Sequence, residues 1–177
     1  LFSMGAHGGV ASWEAFRAFV FQGHSGPLGR PLALASFLLD ANTWPSEPLP
    51  FKLTNLWIHL LTGVVLCWAT LNLLRLYGVS ERHACWGAVL NMAFWLLHPF
   101  MVSTTLYVVQ RMAQLAALFM FAGLAGYLHG RLLLQRNRCG AAYGWMSASL
   151  ILGTALAVLS KENGALLPLL AWVAEAC

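Results

Sequence analysis

Charge is what this chain most lacks. Lys, Arg, Asp and Glu make up 9% of its 177 residues, against 59% apolar residues. Soluble domains carry about 25% charged residues. A water-soluble fold of this length could not cover its surface with so few charges, whereas a lipid-facing one has no need to. Dense basic patches are lacking too, so the net charge of +4 suits the polar edges of membrane helices rather than a nucleic-acid partner. The four cysteines, Cys67, Cys85, Cys139 and Cys177, form no CxxC pair and no metal spacing. They read as small buried hydrophobes, which argues against a disulfide framework and a metal site. No repeat, low-complexity tract or signal peptide is visible. The chain opens on Leu1, and its last apolar stretch, from Gly164 to Cys177, is 14 residues long. A crossing needs about 20 residues. These features predict an internal segment of a longer protein.

What the chain does have is apolar runs of helix length. Residues 1–52 read as a Gly- and Pro-rich loop with two short interfacial helices. The first runs over Ser12–Val20, with Trp13, Phe16 and Val20 on one face, placed against the membrane interface. A loop from Gln22 to Gly29 follows. The second helix starts at Arg30-Pro31, with Pro at its first position, and runs to about Asp40. Asn42-Thr43-Trp44-Pro45 stops it, and Pro48 and Pro50 keep the next stretch irregular. Residues 53–177 read as spans over Leu53–Leu74, Ala84–Leu97, Met101–Gly130 and Ala141–Leu159, with a truncated fifth after Ser160-Lys161-Glu162-Asn163-Gly164. The fold class expected is therefore all-α, a polytopic transmembrane helical bundle in one membrane domain.

Orientation follows from the basic residues. Arg75, Arg82, Arg131, Arg136 and Arg138 lie in loops two crossings apart, hold five of the ten Lys and Arg residues, and have Glu81 as their only acid. The positive-inside rule places them in the cytoplasm. Residues 1–52, His98-Pro99 and Lys161-Glu162 then share the opposite face.

Polar residues near that face are the candidates for function. Asn55, His59 and Thr62 form one stripe on the first span. Thr104, Tyr107, Arg111 and Gln114 form another on the third, with Arg111 two to three turns inside the helix. An arginine at membrane depth is costly and faces a cavity or a partner. Arg30, Lys52, Arg111 and Lys161 gather on one side from different segments, a cationic face suited to a lipid phosphate. A plainer reading stands beside each. Asn55 and His59 can be interhelical glue, His98-Pro99 a turn, Arg111 a structural ion pair, and Lys161-Glu162 an interfacial anchor.

Several of these segments carry a resemblance. Gly29-Arg30-Pro31-Leu32 with Ser36-Phe37, and Phe51 to His59 (FKLTNLWIH), are two of them. His98-Pro99 with Val109-Gln110-Arg111-Met112, and Ser160 to Pro168 (SKENGALLP), are the others. In order and spacing they resemble the transmembrane, tetratricopeptide-repeat O-mannosyltransferases and their bacterial relatives. That resemblance implies a GT-C-like membrane glycosyltransferase. It would use a polyprenyl-phosphate-linked sugar and an acceptor that can be a protein hydroxyl, on the non-cytoplasmic side. The setting implied is a bacterial inner membrane with the site facing the periplasm, or the endoplasmic reticulum lumen in a eukaryote. The roles implied are donor-phosphate binding for Arg30, Arg111 and Lys161, and orientation for Asn55, His59, His98 and Glu162, the last by holding Lys161. No cofactor is implied. The family's catalytic acid is expected upstream of Leu1, so the chain alone is expected to lack turnover. Asp40 and Glu47 are set aside as bases because they flank a Pro-rich stretch with no neighbouring partner. Lys52 stands where the family often has His, and Ser103 where it often has an acid. The alternative is a transporter or flippase for an anionic or lipid-linked solute, which would use the same cations.

Overall fold

The computed structural model describes residues 9–21, 29–43 and 45–176. The expected loop over Gln22–Leu28, Trp44 of the helix stop, and Cys177 lie outside them. Among the described residues the chain is all-helical, with no strand. The helices are α1 (Trp13–Phe21), α2 (Pro31–Phe37), α3 (Pro48–Leu76), α4 (Glu81–Leu97), α5 (Pro99–Leu106), α6 (Arg111–Gln135), α7 (Cys139–Ser160) and α8 (Leu167–Ala176). Short 3-10 turns cover Val108–Gln110 and Glu162–Leu166.

Three helical segments, Pro48–Leu76, Val108–Gln135 and Cys139–Ser160, are long and apolar enough to cross a membrane. At 1.5 Å per residue α3 alone is roughly 43 Å long, more than the ~30 Å hydrocarbon core. The α4–α5 pair would make a fourth crossing, bent by 58° at His98-Pro99. Pro99 has no N–H and holds His98 extended (φ −65°, ψ 125°), so α4 stops there.

Burial runs opposite to that of a soluble bundle. Trp57, Phe94, Ile151 and Trp172 are each more than 60% exposed. Asn55, Thr62, Asn72, Arg111 and Ser160 are buried to 2% or less. Apolar side chains outside and polar ones inside fit a hydrocarbon solvent, where every polar group needs an internal partner. The helices meet through small residues. Gly123, Gly126 and Gly130 on α6 face Gly153, Ser149 and Ala142 on α7, and a Cβ at Gly130 would stand 2.9 Å from the Ala142 carbonyl oxygen. Such close approach is how membrane helices gain packing energy that lipid does not offer.

Several expected boundaries are corrected. Helix α3 starts at Pro48, not Leu53, because Pro48 and Pro50 both fall in the first turn, where no N–H is needed. Helix α2 ends at Phe37, three residues before Asp40, in a turn over 38–40. The long third helix does not exist as one piece. Tyr107 (φ −88°, ψ 108°) separates α5 from α6, so Arg111 is the first residue of α6 rather than a residue deep within a helix. The break lies among the β-branched residues Val102, Thr104, Thr105, Val108 and Val109, which lose rotamer freedom in a helix. Asn55 Nδ2 stabilises it by donating to the carbonyls of Thr105 (3.2 Å) and Tyr107 (3.5 Å). Helix α1 turns Phe16 and Val20 of its expected apolar face onto protein rather than the membrane interface. Trp13 is 70% exposed, while Phe19 and Val20 pack with Leu34, Phe37 and Phe51. The first two helices therefore dock on the start of α3.

Candidate functional site at the end of the bundle opposite the arginine-rich loops

The segments named in the sequence converge at one end of the bundle, and Arg111 is the hub. Its side chain is fully buried. Nε donates to Asn55 Oδ1 (2.7 Å), Nη1 to the Ser36 carbonyl (2.9 Å) and Nη2 to the Phe51 carbonyl (2.8 Å). Nη1 also meets Asp40 Oδ2 at 2.5 Å, as a close ion pair without hydrogen-bond alignment. The other Asp40 oxygen accepts from Thr54 Oγ1 at 2.5 Å. The guanidinium lies over the rings of Phe37 (4.8 Å to the centroid) and Phe51 (5.6 Å), both faces that favour a cation. One arginine thus ties α2, the turn after it, and α3 to the start of α6.

This arrangement corrects two expectations. Arg111 presents no exposed edge to a lipid phosphate, because burial and internal acceptors already occupy the guanidinium. Asp40 is not without a neighbour, since it is the counter-charge that makes the burial of Arg111 tolerable. Only six acids occur in the chain, and an isolated acid facing an isolated deep arginine was a signal available in the sequence.

A second pair lies nearer the surface. Arg30 is in the left-handed region (φ 49°), between Gly29 (φ 72°) and Pro31. A non-glycine residue there is strained, and such strain persists only where the surroundings impose it. The turn sends the Arg30 side chain to Glu162, 132 residues away. Nε donates to Oε1 (3.2 Å) and Nη2 to Oε2 (2.9 Å), a two-pronged pairing. Nη1 approaches Met112 Sδ at 2.7 Å. Glu162 therefore holds Arg30, not Lys161 as expected. Its carboxyl is kept below the usual carboxylate range, first by the Arg30 hydrogen bonds, then by its own backbone N–H and the nearby charges of Arg30 and Lys161. The pair is partly open, with 21% of the Arg30 and 29% of the Glu162 side chain exposed.

Lys161 caps the turn that follows α7. Its N–H donates to the Ala157 carbonyl and its carbonyl accepts from Gly164 N–H, both at 2.9 Å. Gly164 lies directly on the backbone of α7, at Ala157 and Val158, where a side chain would not fit. Lys161 as a residue is half-buried, and its ammonium makes no salt bridge among the described residues.

The histidines separate from this group. His59 Nε2 lies 3.2 Å from the Leu96 carbonyl, a contact between α3 and α4. His98 Nδ1 accepts from Phe100 N–H (3.2 Å) and its ring meets Phe94 edge-on, so it caps α5 rather than joining the Arg30–Lys161 cluster. Gln114, one turn below Arg111, donates from Nε2 to the Thr104 carbonyl (3.1 Å). No group of three side chains able to hold a metal occurs among the described residues. Four of the six acids are committed to ion pairs: Asp40 with Arg111, Glu162 with Arg30, Glu81 with Arg75, and Glu175 with Arg131.

Fold and site together define an all-helical chain with three or four helices fit to span a membrane and a layered polar cluster at one end. No protein-family model matches the chain, and neither does any curated protein or solved structure.

Proposed function

We propose that this chain belongs to an integral-membrane glycosyltransferase of the GT-C kind. The reaction would move a sugar from a polyprenyl-phosphate-linked donor to a hydroxyl acceptor on the non-cytoplasmic side. One observation carries the reading: the four segments that bear the family resemblance, dispersed from Gly29 to Pro168, meet at one end of the bundle. Arg30 reaches Glu162 and Met112, and Arg111 reaches Ser36, Phe51 and Asn55. An anchor that needed only helix glue would not require these contacts between a loop and three helix ends.

The roles follow from what each cation has left to offer. Arg111 and Asp40 form the floor and keep the loop seated. Lys161 supplies point charge to the donor phosphate. The partly open Arg30, aligned by Glu162, is the second cation. In the transfer the acceptor oxygen bonds to the anomeric carbon, the bond from that carbon to the phosphate oxygen breaks, and the phosphate leaves with the electron pair. Fixed cations stabilise the charge that grows on the leaving group. A base must take the acceptor's proton. Since four of the six acids are paired, Glu14 is exposed on α1 and Glu47 is exposed just before α3, the base is assigned to sequence outside the chain.

The test is transfer from a radiolabelled polyprenyl-phosphate hexose by the full-length protein in proteoliposomes. Turnover is expected, falling at least tenfold in Lys161→Met with insertion unchanged. No transfer from any such donor would refute the reading. Movement of the labelled lipid between leaflets without bond cleavage would replace it with translocation.

A further inference from the structure

At the arginine-rich end of the bundle, the last turns of α3, α6 and α8 border a cavity of about 170 Å³. Its polar lining is Tyr77, Arg131, Gln135 and Glu175, and Leu73, Leu76 and Leu128 form most of its apolar wall. Three ion pairs among the described residues are partly open, and they differ in how much of the arginine is used. Arg30 and Arg75 each present two nitrogens to both oxygens of one carboxylate, Arg30 to Glu162 and Arg75 to Glu81. Arg131 instead approaches Glu175 from Nε, 2.7 Å from Oε1, and neither of its Nη groups makes a hydrogen bond among the described residues. Tyr127 donates its hydroxyl to that same Oε1 at 2.9 Å, which leaves Oε2 without one as well. Both charged side chains are reachable, at 36% exposure for Arg131 and 32% for Glu175. No Arg131 nitrogen is among the unpartnered polar atoms shut off from solvent.

The cavity therefore offers two unused edges side by side, donors on a fixed cation and an acceptor on a fixed anion. A simple anion meets Arg131 but is repelled by Glu175, and a simple amine meets Glu175 but is repelled by Arg131. A ligand with both charges complements both edges. Its phosphate accepts from the arginine fork, whose geometry suits phosphate oxygens, and its ammonium donates to Glu175 Oε2. Position and wall point to a lipid as the carrier. The cavity lies where α3 and α6, both fit to span a membrane, come to an end, which is the level of the headgroups. The leucine wall beside it offers apolar surface to the start of an acyl chain. We infer that this cavity holds the headgroup of a phospholipid that carries a phosphate and a primary ammonium, as an ethanolamine lipid does. A choline headgroup has the same charges but no N–H to donate, and a glycerol headgroup has the phosphate but no cation. The site stands at the opposite end of the bundle from the Arg30–Lys161 cluster and does not depend on the transferase reading.

The experiment uses the full-length protein, stripped of lipid in detergent and titrated in native mass spectrometry. The probes are dioleoyl phospholipids with ethanolamine, choline or glycerol headgroups. The ethanolamine lipid is expected to bind roughly tenfold more tightly than either of the others, the worth of one hydrogen bond between charged groups. Glu175→Gln keeps an oxygen for Tyr127 and Arg131 but removes the charge facing the ammonium, so that preference should shrink to less than about threefold. Arg131→Lys keeps a cation but loses the fork. It should weaken all three lipids together and leave the preference for ethanolamine over choline in place. The wild-type preference is a test in itself, so failure of one variant to fold does not remove the check. Equal binding of the ethanolamine and choline lipids would overturn the inference, as would tighter binding of the glycerol lipid. Displacement of the bound lipid by inorganic phosphate would overturn it in favour of a free anion. A preference that survives Glu175→Gln would place the ethanolamine lipid elsewhere on the protein and overturn it too.

Discussion

Arg111 and Asp40 show how one residue's surroundings decide its role. A guanidinium inside a helical bundle is tolerable only when acceptors replace its water, and here one carboxylate, one amide and two carbonyls do so. Removing one partner of a buried pair typically costs about 3–5 kcal/mol, because the other charge is stranded. Asp40→Leu and Arg111→Leu are each expected to destabilise the detergent-solubilised protein by about that much. The double variant should lose at least 1 kcal/mol less than the two singles added together, the excess being their coupling. Additive losses in thermal unfolding would show that the pair is not the hub. Glu162 makes a pH prediction. Its carboxyl is held below the usual range in the folded protein, chiefly by Arg30. The link then contributes stability above the unfolded value of 4.5 and loses it as the pH falls below that toward the folded value. Wild type should therefore become easier to cleave near Arg30 below about pH 4.5, whereas Glu162→Gln should already be cleaved at pH 7 and change little.

At the scale of elements, the glycines of α6 and α7 divide by what surrounds them. Gly130 faces the Ala142 carbonyl, whereas Gly140 and Gly144 face open space. Gly130→Ala must push two helix backbones apart and is expected to cost about 1–3 kcal/mol. Gly144→Ala, exposed inside α7, removes backbone freedom from the unfolded chain and should stabilise by about 0.5–1 kcal/mol. Unfolding midpoints of the two variants should move in opposite directions. Equal shifts would show that the α6–α7 contact does not depend on close approach. The break between α5 and α6 belongs to this scale as well. Apolar periodicity runs straight through residues 101–130, and what interrupts it is the Asn55 amide reaching the carbonyls of Thr105 and Tyr107.

For the whole molecule, the arginine-rich loops and the Arg30–Lys161 cluster lie at opposite ends of the bundle. The proposed orientation, taken from the positive-inside rule, has the former in the cytoplasm. Cys85, one turn into α4, and Cys139, at the start of α7, are both exposed and both near that end. With the other cysteines removed, each should resist an impermeant maleimide in intact cells and react after permeabilisation. A cysteine introduced as Glu47→Cys, exposed just before α3, should react in intact cells. The reverse pattern would invert the orientation and move the proposed site to the cytoplasm.

The sequence by itself determined the class. Composition and apolar run length point to helices fit to span a membrane, because a helix satisfies its backbone hydrogen bonds within one segment where water is absent. It also determined where most helices stop, since His98-Pro99 and Gly78 act locally through φ and missing donors. It brought Arg30, Arg111, Asn55 and Glu162 to notice, because polar residues among apolar ones need partners. Only the tertiary structure decided who those partners are. Asp40 lies 71 positions before Arg111, and Glu162 lies 132 after Arg30. Sequence spacing is silent about such pairs, because the choice of partner depends on which helix ends the packing brings together. The same packing buried Arg111 and left the Arg30–Glu162 pair partly open. Accessibility is a property of neighbours, and no residue's own identity carries it.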